Sequence, residues 1–335
     1  MAMSGPTAVA VDGAENLYVT EAGKNRVLVY GSDGVLRTTL AGLANPISIG
    51  VGADGRIFVG NADRGDVEVF SDDLRLLLKL GKGDGEFGQP SAIALAGDGL
   101  VYVADGKENT IKVYGPDGVK KSSFGVPGSG EGQLNFPTAM AIDEEANEIV
   151  VTDLQVKQVS GQIYLGMNLT ETIGTARVQF FTPAGAFVRS FGEFGEGQGK
   201  LVKPMGVTVA NGQVYVSDSY QNMVQVFDRQ GASLGMIYDL DHAIRTPVGI
   251  AIGKETGRLF VASLHTASVE VYGAPVSHTV TVNATTGGKV TPAGPASVRQ
   301  GESLTIVISP DEGSSRPCWW TPAPWAYPLA TPSPT

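Results

Sequence analysis

The sequence is short of the residues from which most catalytic and metal sites are built. It has one cysteine, Cys318, which excludes an intrachain disulfide and any cysteine-based zinc or haem site. Its three histidines, His242, His265 and His278, fall in three separate stretches and cannot supply convergent zinc ligands. Charged residues are 17% of the chain, below the common ~25%. The net charge is −10, with no Lys/Arg run to offset it. Such a surface repels a phosphate backbone, which excludes nucleic acid as a partner class. No apolar run approaches the ~18 residues of a membrane-spanning helix, so no membrane insertion is expected. The opening "MAMSG" lacks the charged and apolar regions of an export signal.

Glycine, in contrast, is abundant at 45 of 335 residues, about twice its usual share. One stretch, "GDGEFG" at 83–88, matches the G-x-G-x-x-G of loops that hold a dinucleotide's phosphates. That chemistry needs a helix to begin inside the motif, because free N–H groups at the helix N-terminus hold the anion. Here the glycines lead into Gln89, Pro90 and the alternating "SAIALAGDG", which has no helical period. Two related stretches follow, "GVPGSGEGQLNFP" at 125–137 and "GEFGEGQGKLVKP" at 192–204, each ending on proline. A recurring loop of this kind connects repeated units.

Alignment on Pro6, Pro46, Pro90, Pro137, Pro204 and Pro247 gives six units spaced by 40, 44, 47, 67 and 43 residues. Each holds a strand after the proline, a second strand ("LYVT", "IFVG", "VYVA", "IVVT", "VYVS", "LFVA") and a third ("RVLVY", "DVEVF", "TIKVY", "RVQFF", "MVQVF", "SVEVY"). The third strand alternates: Val67 and Val69 flank Glu68, and Ile111 and Val113 flank Lys112, as expected of one buried and one charge-tolerant face. A turn such as "PDG" at 116–118 leads to a fourth strand. The fold class is all-β: four-stranded antiparallel blades stacked into a six-bladed β-propeller over residues 1–275. Unit four carries an insertion at 154–176, between its second and third strands, on the face that also carries the connectors. Unit six lacks a clear fourth strand, so either "VSHTVTV" at 276–282 or a strand from a longer natural N-terminus is expected to close the ring.

"YVADGKENTIKVYGPDG" at 102–118 and "YVSDSYQNMVQVF" at 215–227 resemble the NHL repeat, and the opening "LYVTEAGKNRVLVY" also resembles the related YVTN type. Residues 276–313 change to Thr/Val alternation and resemble part of a bacterial surface-repeat module of the internalin B type. Residues 314–335 hold six prolines and all three tryptophans, the composition of a disordered tail.

The second strands end in Glu21, Asn61, Asp105, Asp153, Asp218 and Ser263, one per unit on the connector face. Such a ring has two readings: ligands for a cation or a basic partner, or caps that accept N–H bonds from neighbouring turns. The resemblance implies two functions. The first is a non-enzymatic scaffold of an exported bacterial protein, extracellular, cell-surface or periplasmic, which binds a protein, peptide or glycan through the connector face and the unit-four insertion. The second is a calcium-dependent hydrolase or lyase of the lactonase-like propeller type, with its site at the central opening.

Overall fold

A computed structural model describes residues 3–155, 176–238, 244–273, 277–282, 288–291, 293–299 and 307–310. The chain forms two compact units, Met1–Ala274 and Pro275–Thr335. In the first, blades one to five are four-stranded meanders of sequential antiparallel strands. Blade three, for example, runs Pro90–Leu95, Val101–Asp105, Thr110–Tyr114 and Lys120–Phe124. Blade six has three strands among the described residues, Pro247–Ile252, Leu259–Ser263 and Ser268–Tyr272. Its Val271 is 45% exposed, whereas the matching Val69 and Val113 in four-stranded blades are 0% and 3% exposed. In the second unit, Ser277–Val282 pairs with Gly294–Arg299, and Gly288–Thr291 pairs with Val307–Pro310, both antiparallel. Most of the insertion (residues 156–175) and the whole of the proline-rich tail lie outside the described residues.

The core is divided among the junctions between blades. Tyr102, Ile111 and Val113 of blade three pack with Met140, Ile149, Val151 and Phe181 of blade four. Val101 and Val103, on the other side of the same strand, pack with Phe58, Val67 and Val69 of blade two. Each of the six junctions has such a cluster. A blade is therefore covered on both faces, which corrects the expectation of a charge-tolerant outer face on the third strand. Glu68 is 7% exposed, Lys112 5%, and Gln179 and Gln225 0%. The alternation marks an internal polar ladder, because burial without hydrogen bonds would cost too much for these side chains to lie there unpartnered.

"GDGEFG" is a connector, as its sequel implied. Gly85 and Phe87 donate backbone N–H bonds to the carbonyls of Arg64 and Gly65 in blade two. Phe87 is buried against Tyr114, with ring centroids 5.7 Å apart. Among the described residues the single helical segment is the short 3-10 turn Ala22–Lys24.

A belt of side-chain hydroxyls ties the blades near the axis. Thr7 donates to the carbonyl of Pro46 at 3.1 Å, Ser48 to Pro90 at 2.7 Å and Ser91 to Pro137 at 2.6 Å. Thr138 donates to Pro204 at 2.9 Å and Ser217 to Val248 at 2.6 Å. The junction of blade six with blade one is built differently. A Cβ added at Gly249 would lie 2.7 Å from the Cα of Ala8, so glycine is required for backbone to meet backbone there. On the opposite face Glu15 of blade one accepts bonds from the N–H of Glu255 and Thr256, the Thr256 hydroxyl at 2.7 Å and Arg258. Burial pushes the Glu15 carboxyl up, but these bonds outweigh it and hold the group below its usual range.

Candidate functional site

The connector face and the mouth of the central channel take their shape from one local irregularity. In every blade the first strand pairs with the second through its proline, then shifts register just after it. The residue left over is a bulge, a device that re-aims a side chain. These residues are Thr7, Ile47, Ser91, Thr138, Met205 and Val248, and together they line a cavity of about 320 Å³ at the connector end of the axis. Two positions further along, Val9, Ile49, Ile93, Met140, Val207 and Ile250 form a waist. The waist separates this cavity from a wider one of about 490 Å³ at the other end. That second mouth carries Asp143, Glu144, Glu145, Arg229 and Lys254, whose charges pair with one another.

The six strand-end residues surround the mouth without reaching it. Glu21, Asn61, Asp105, Asp153, Asp218 and Ser263 are all 0% exposed, and none lines the cavity. Five of them hold the connector that enters their own blade. Glu21 accepts the N–H of Ser4, and Asn61 that of Ala44 at 3.0 Å. Asp105 accepts those of Gly88 and Gln89 at 2.8 and 3.0 Å. Asp153 accepts that of Asn135 at 2.7 Å, and Asp218 that of Val202 at 2.7 Å. These are the contacts of turn caps.

The polar ladder of the third strands completes this support. Lys112 donates to Asp105 at 3.2 Å and to the carbonyl of Glu86, a connector residue, at 2.6 Å. Gln179 donates to the carbonyl of Gln133 at 2.7 Å. Arg177 bonds Asp153 and the carbonyls of Ser129 and Gln133. Burial nevertheless dominates at Asp153 and raises its carboxyl to about 6, against the lowering effect of Asn135 and Arg177. Blade six departs from the pattern, since Ser263 replaces the acid or amide and its buried hydroxyl has no partner among the described residues. Ser263 and His265 make no catalytic pair, because His265 is exposed while Ser263 is sealed.

A second set of ties was not anticipated. Asn25, Asn109 and Asn222 sit in the left-handed region, with φ of 52°, 56° and 56°. Their side chains accept the backbone N–H of Asn45, Phe136 and Thr246 in the connector of the following blade. The signal was present as "KN", "EN" and "QN" before three of the third strands. The bulge residues also had a signal, the position directly after each aligned proline.

The chemistry of the mouth follows from its lining. Among the described residues its lining contains no Asp, Glu or His, and the one charged residue is Lys203. Among the described residues no group of three His, Cys, Asp or Glu is arranged to hold a metal. The donor set that the described residues place at this opening does not fit calcium, which takes six to eight oxygens, carboxylates prominent among them.

No family model matches the chain. Protein brain tumor of Drosophila melanogaster is 29% identical over 149 residues, 44% of this chain and 12% of that protein, so the chain spans a small part of that relative's length. The solved gluconolactonase XC5397 from Xanthomonas campestris is 18% identical with a TM-score of 0.62, covering 82% of this chain and 87% of that one. A chain of a solved nidogen–laminin complex is 18% identical with a TM-score of 0.57, covering 75% and 87%. At these identities the solved structures share the fold, and both an enzyme and a binding protein are among them.

Proposed function

We propose that this protein is a binding scaffold of the NHL-repeat kind which recognises a protein or peptide at the connector-face mouth. The observation that carries this reading is the fate of the polar groups around the axis. The strand-end acids are spent on connectors and the hydroxyls of Thr7, Ser48, Ser91 and Thr138 on neighbouring blades, so a largely apolar cavity remains. A cavity of that kind seats an apolar side chain. A glycan would need many free donors and acceptors, and the hydroxyls of Thr7, Ser48, Ser91 and Thr138 are already engaged. Export to the cell surface or periplasm is the remaining part of the proposal, and the surface-repeat resemblance of residues 276–313 supports it.

The test is selection from a random linear peptide library against the full chain, with Met205→Arg as the blocked mouth. A peptide consensus that binds the parent and fails on a folded Met205→Arg variant is expected. Absence of any consensus, or binding indifferent to Met205→Arg, overturns the proposal. Hydrolysis of a lactone panel that calcium restores after chelation would instead establish the enzymatic reading.

A further inference from the structure

We propose that the mouth captures the C-terminal end of a polypeptide whose last residue is apolar, with its terminal carboxylate paired to Lys203. This rests on the connector face being the binding face, and it specifies what is bound there. Three observations lead to it. The cavity narrows below to the six apolar side chains of the waist, which line it and the cavity beyond, so its wide opening is on the connector face and a chain end needs to pass the ring of bulge residues only once. Its depth offers an incoming group little to bond with. The hydroxyls of Thr7, Ser91 and Thr138 already donate across the blade junctions, and Ile47, Met205 and Val248 fill the other bulge positions.

The third observation is the cation. Lys203 is half-buried and lines the cavity, and among the described residues no acid shares that lining. Its backbone is pinned from both sides: the N–H donates to Asp218 at 3.2 Å and the carbonyl accepts the N–H of Ser219 at 2.9 Å. The side chain springs from a fixed point and forms no ion pair with a described residue, in a protein whose net charge is −10. Several other cations near the connectors are engaged, and those that form no ion pair with a described residue, Lys24, Lys82, Lys107 and Arg245, do not line the cavity. Arg26 pairs with Glu21, Arg64 with Asp66 and Glu68, Lys112 with Asp105, and Arg177 with Asp153. An ammonium with no ion pair among the described residues, beside an apolar cavity, is complementary to a carboxylate attached to the same carbon as an apolar side chain, which is the chemistry of a free chain terminus.

The experiment uses the full chain and fluorescent hexapeptides, Gly-Ser-Gly-Ser-Gly-Xaa with Xaa varied, each made with a free C-terminal carboxylate and as the amide. The free acids ending in Leu, Met or Phe should bind, and amidation should weaken them by about tenfold or more, the range of a hydrogen bond to a charged group. Lys203→Gln should remove the difference between acid and amide while leaving thermal stability unchanged. Lys203→Arg should retain it. Equal binding of acid and amide overturns the proposal, and so does a Lys203→Gln variant that still discriminates. Decanoate competing while every peptide fails would overturn it in favour of a small amphiphile. If library peptides bind the mouth through internal residues and ignore amidation, this inference falls and the scaffold reading stands. If nothing saturates up to roughly 1 mM, the weak end of measurable affinity, both fall.

Discussion

Exchanging the strand-end residues of blades two and three tests whether the third strand dictates their identity. Asp105 accepts the N–H groups of Gly88, Gln89, Lys107 and Glu108 together with the Lys112 ammonium. Asn61 accepts one N–H and donates its amide to Asp66 at 2.8 Å and Glu68 at 3.1 Å. In Asp105→Asn, whichever way the amide turns, its NH2 faces at least two donors. If it replaces Oδ2 these are Gly88 N–H and the 5%-exposed Lys112. Each buried donor left unmade costs about 1–3 kcal/mol, and breaking a buried charge pair costs about 3–5 kcal/mol in all. At about 2–4 °C per kcal/mol for a ring of this size, Tm should fall by roughly 6–20 °C. Asn61→Asp should also destabilise, for the opposite reason: it sets a carboxylate about 3 Å from another buried one, so a shared proton relieves it and the penalty shrinks in mild acid. The Asp105→Asn penalty should not shrink in that way. Far-UV circular dichroism is the assay, since all three tryptophans lie at 319 and beyond, outside the ring. If both exchanges stay within about 0.5 kcal/mol, the level of a neutral surface change, the ladder does not specify the caps and the reasoning fails.

Blade six should accept an improvement on the same logic. Ser263→Asn places an amide beside Glu270, as Asn61 lies beside Glu68, and should add about 1 kcal/mol as a restored cap, read as a raised denaturation midpoint. Ser263→Asp, facing Glu270, should not; a gain from Asp equal to that from Asn would contradict the pairing. Gly249→Ala should loosen the junction with blade one by about 1–3 kcal/mol through backbone overpacking, with faster amide exchange in blade six; unchanged exchange would show that the contact can relax freely. Asp153, with its carboxyl raised to about 6, keeps a proton in the folded chain that the unfolded chain has released above about 4. Stability should therefore fall as pH rises from about 4 to 6, by about 3 kcal/mol from this group. Asp153→Asn should remove that slope, and a carboxyl carbon-13 titration with its midpoint below 4 would refute the assignment.

Much of the architecture was legible because a propeller repeats its errors and its rules together. Six prolines, six second strands and six third strands agreed on one unit, and the Gly/Gln stretches proved to be connectors. The site was less legible. Hydrophobic alternation distinguishes apolar from polar but not solvent from an internal ladder, so Lys112 and Gln179 looked exposed when they are connector supports. A bulge leaves no mark in a two-residue period, so Ile47 and Met205 are marked only by their place after an aligned proline and not, like the acids, by their chemistry. Those acids drew the eye because carboxylates are the usual ligands, yet their burial turns them towards their own loops.

The hydroxyl belt has a direction. Thr7, Ser48, Ser91, Thr138 and Ser217 each sit in one blade and donate into the next along the chain, and Asn25, Asn109 and Asn222 reach towards the same next blade but accept its N–H groups. Units two to five thus each carry the donor half of one junction and the acceptor half of another, the head-to-tail arrangement that lets identical parts join without limit. A gene segment duplicated in tandem between blades three and four would bring a complete pair of mating surfaces with it. At the junction built on Gly249 and Glu15 the same duplication would bring neither, which makes that seam the one place where the ring's count of blades is written.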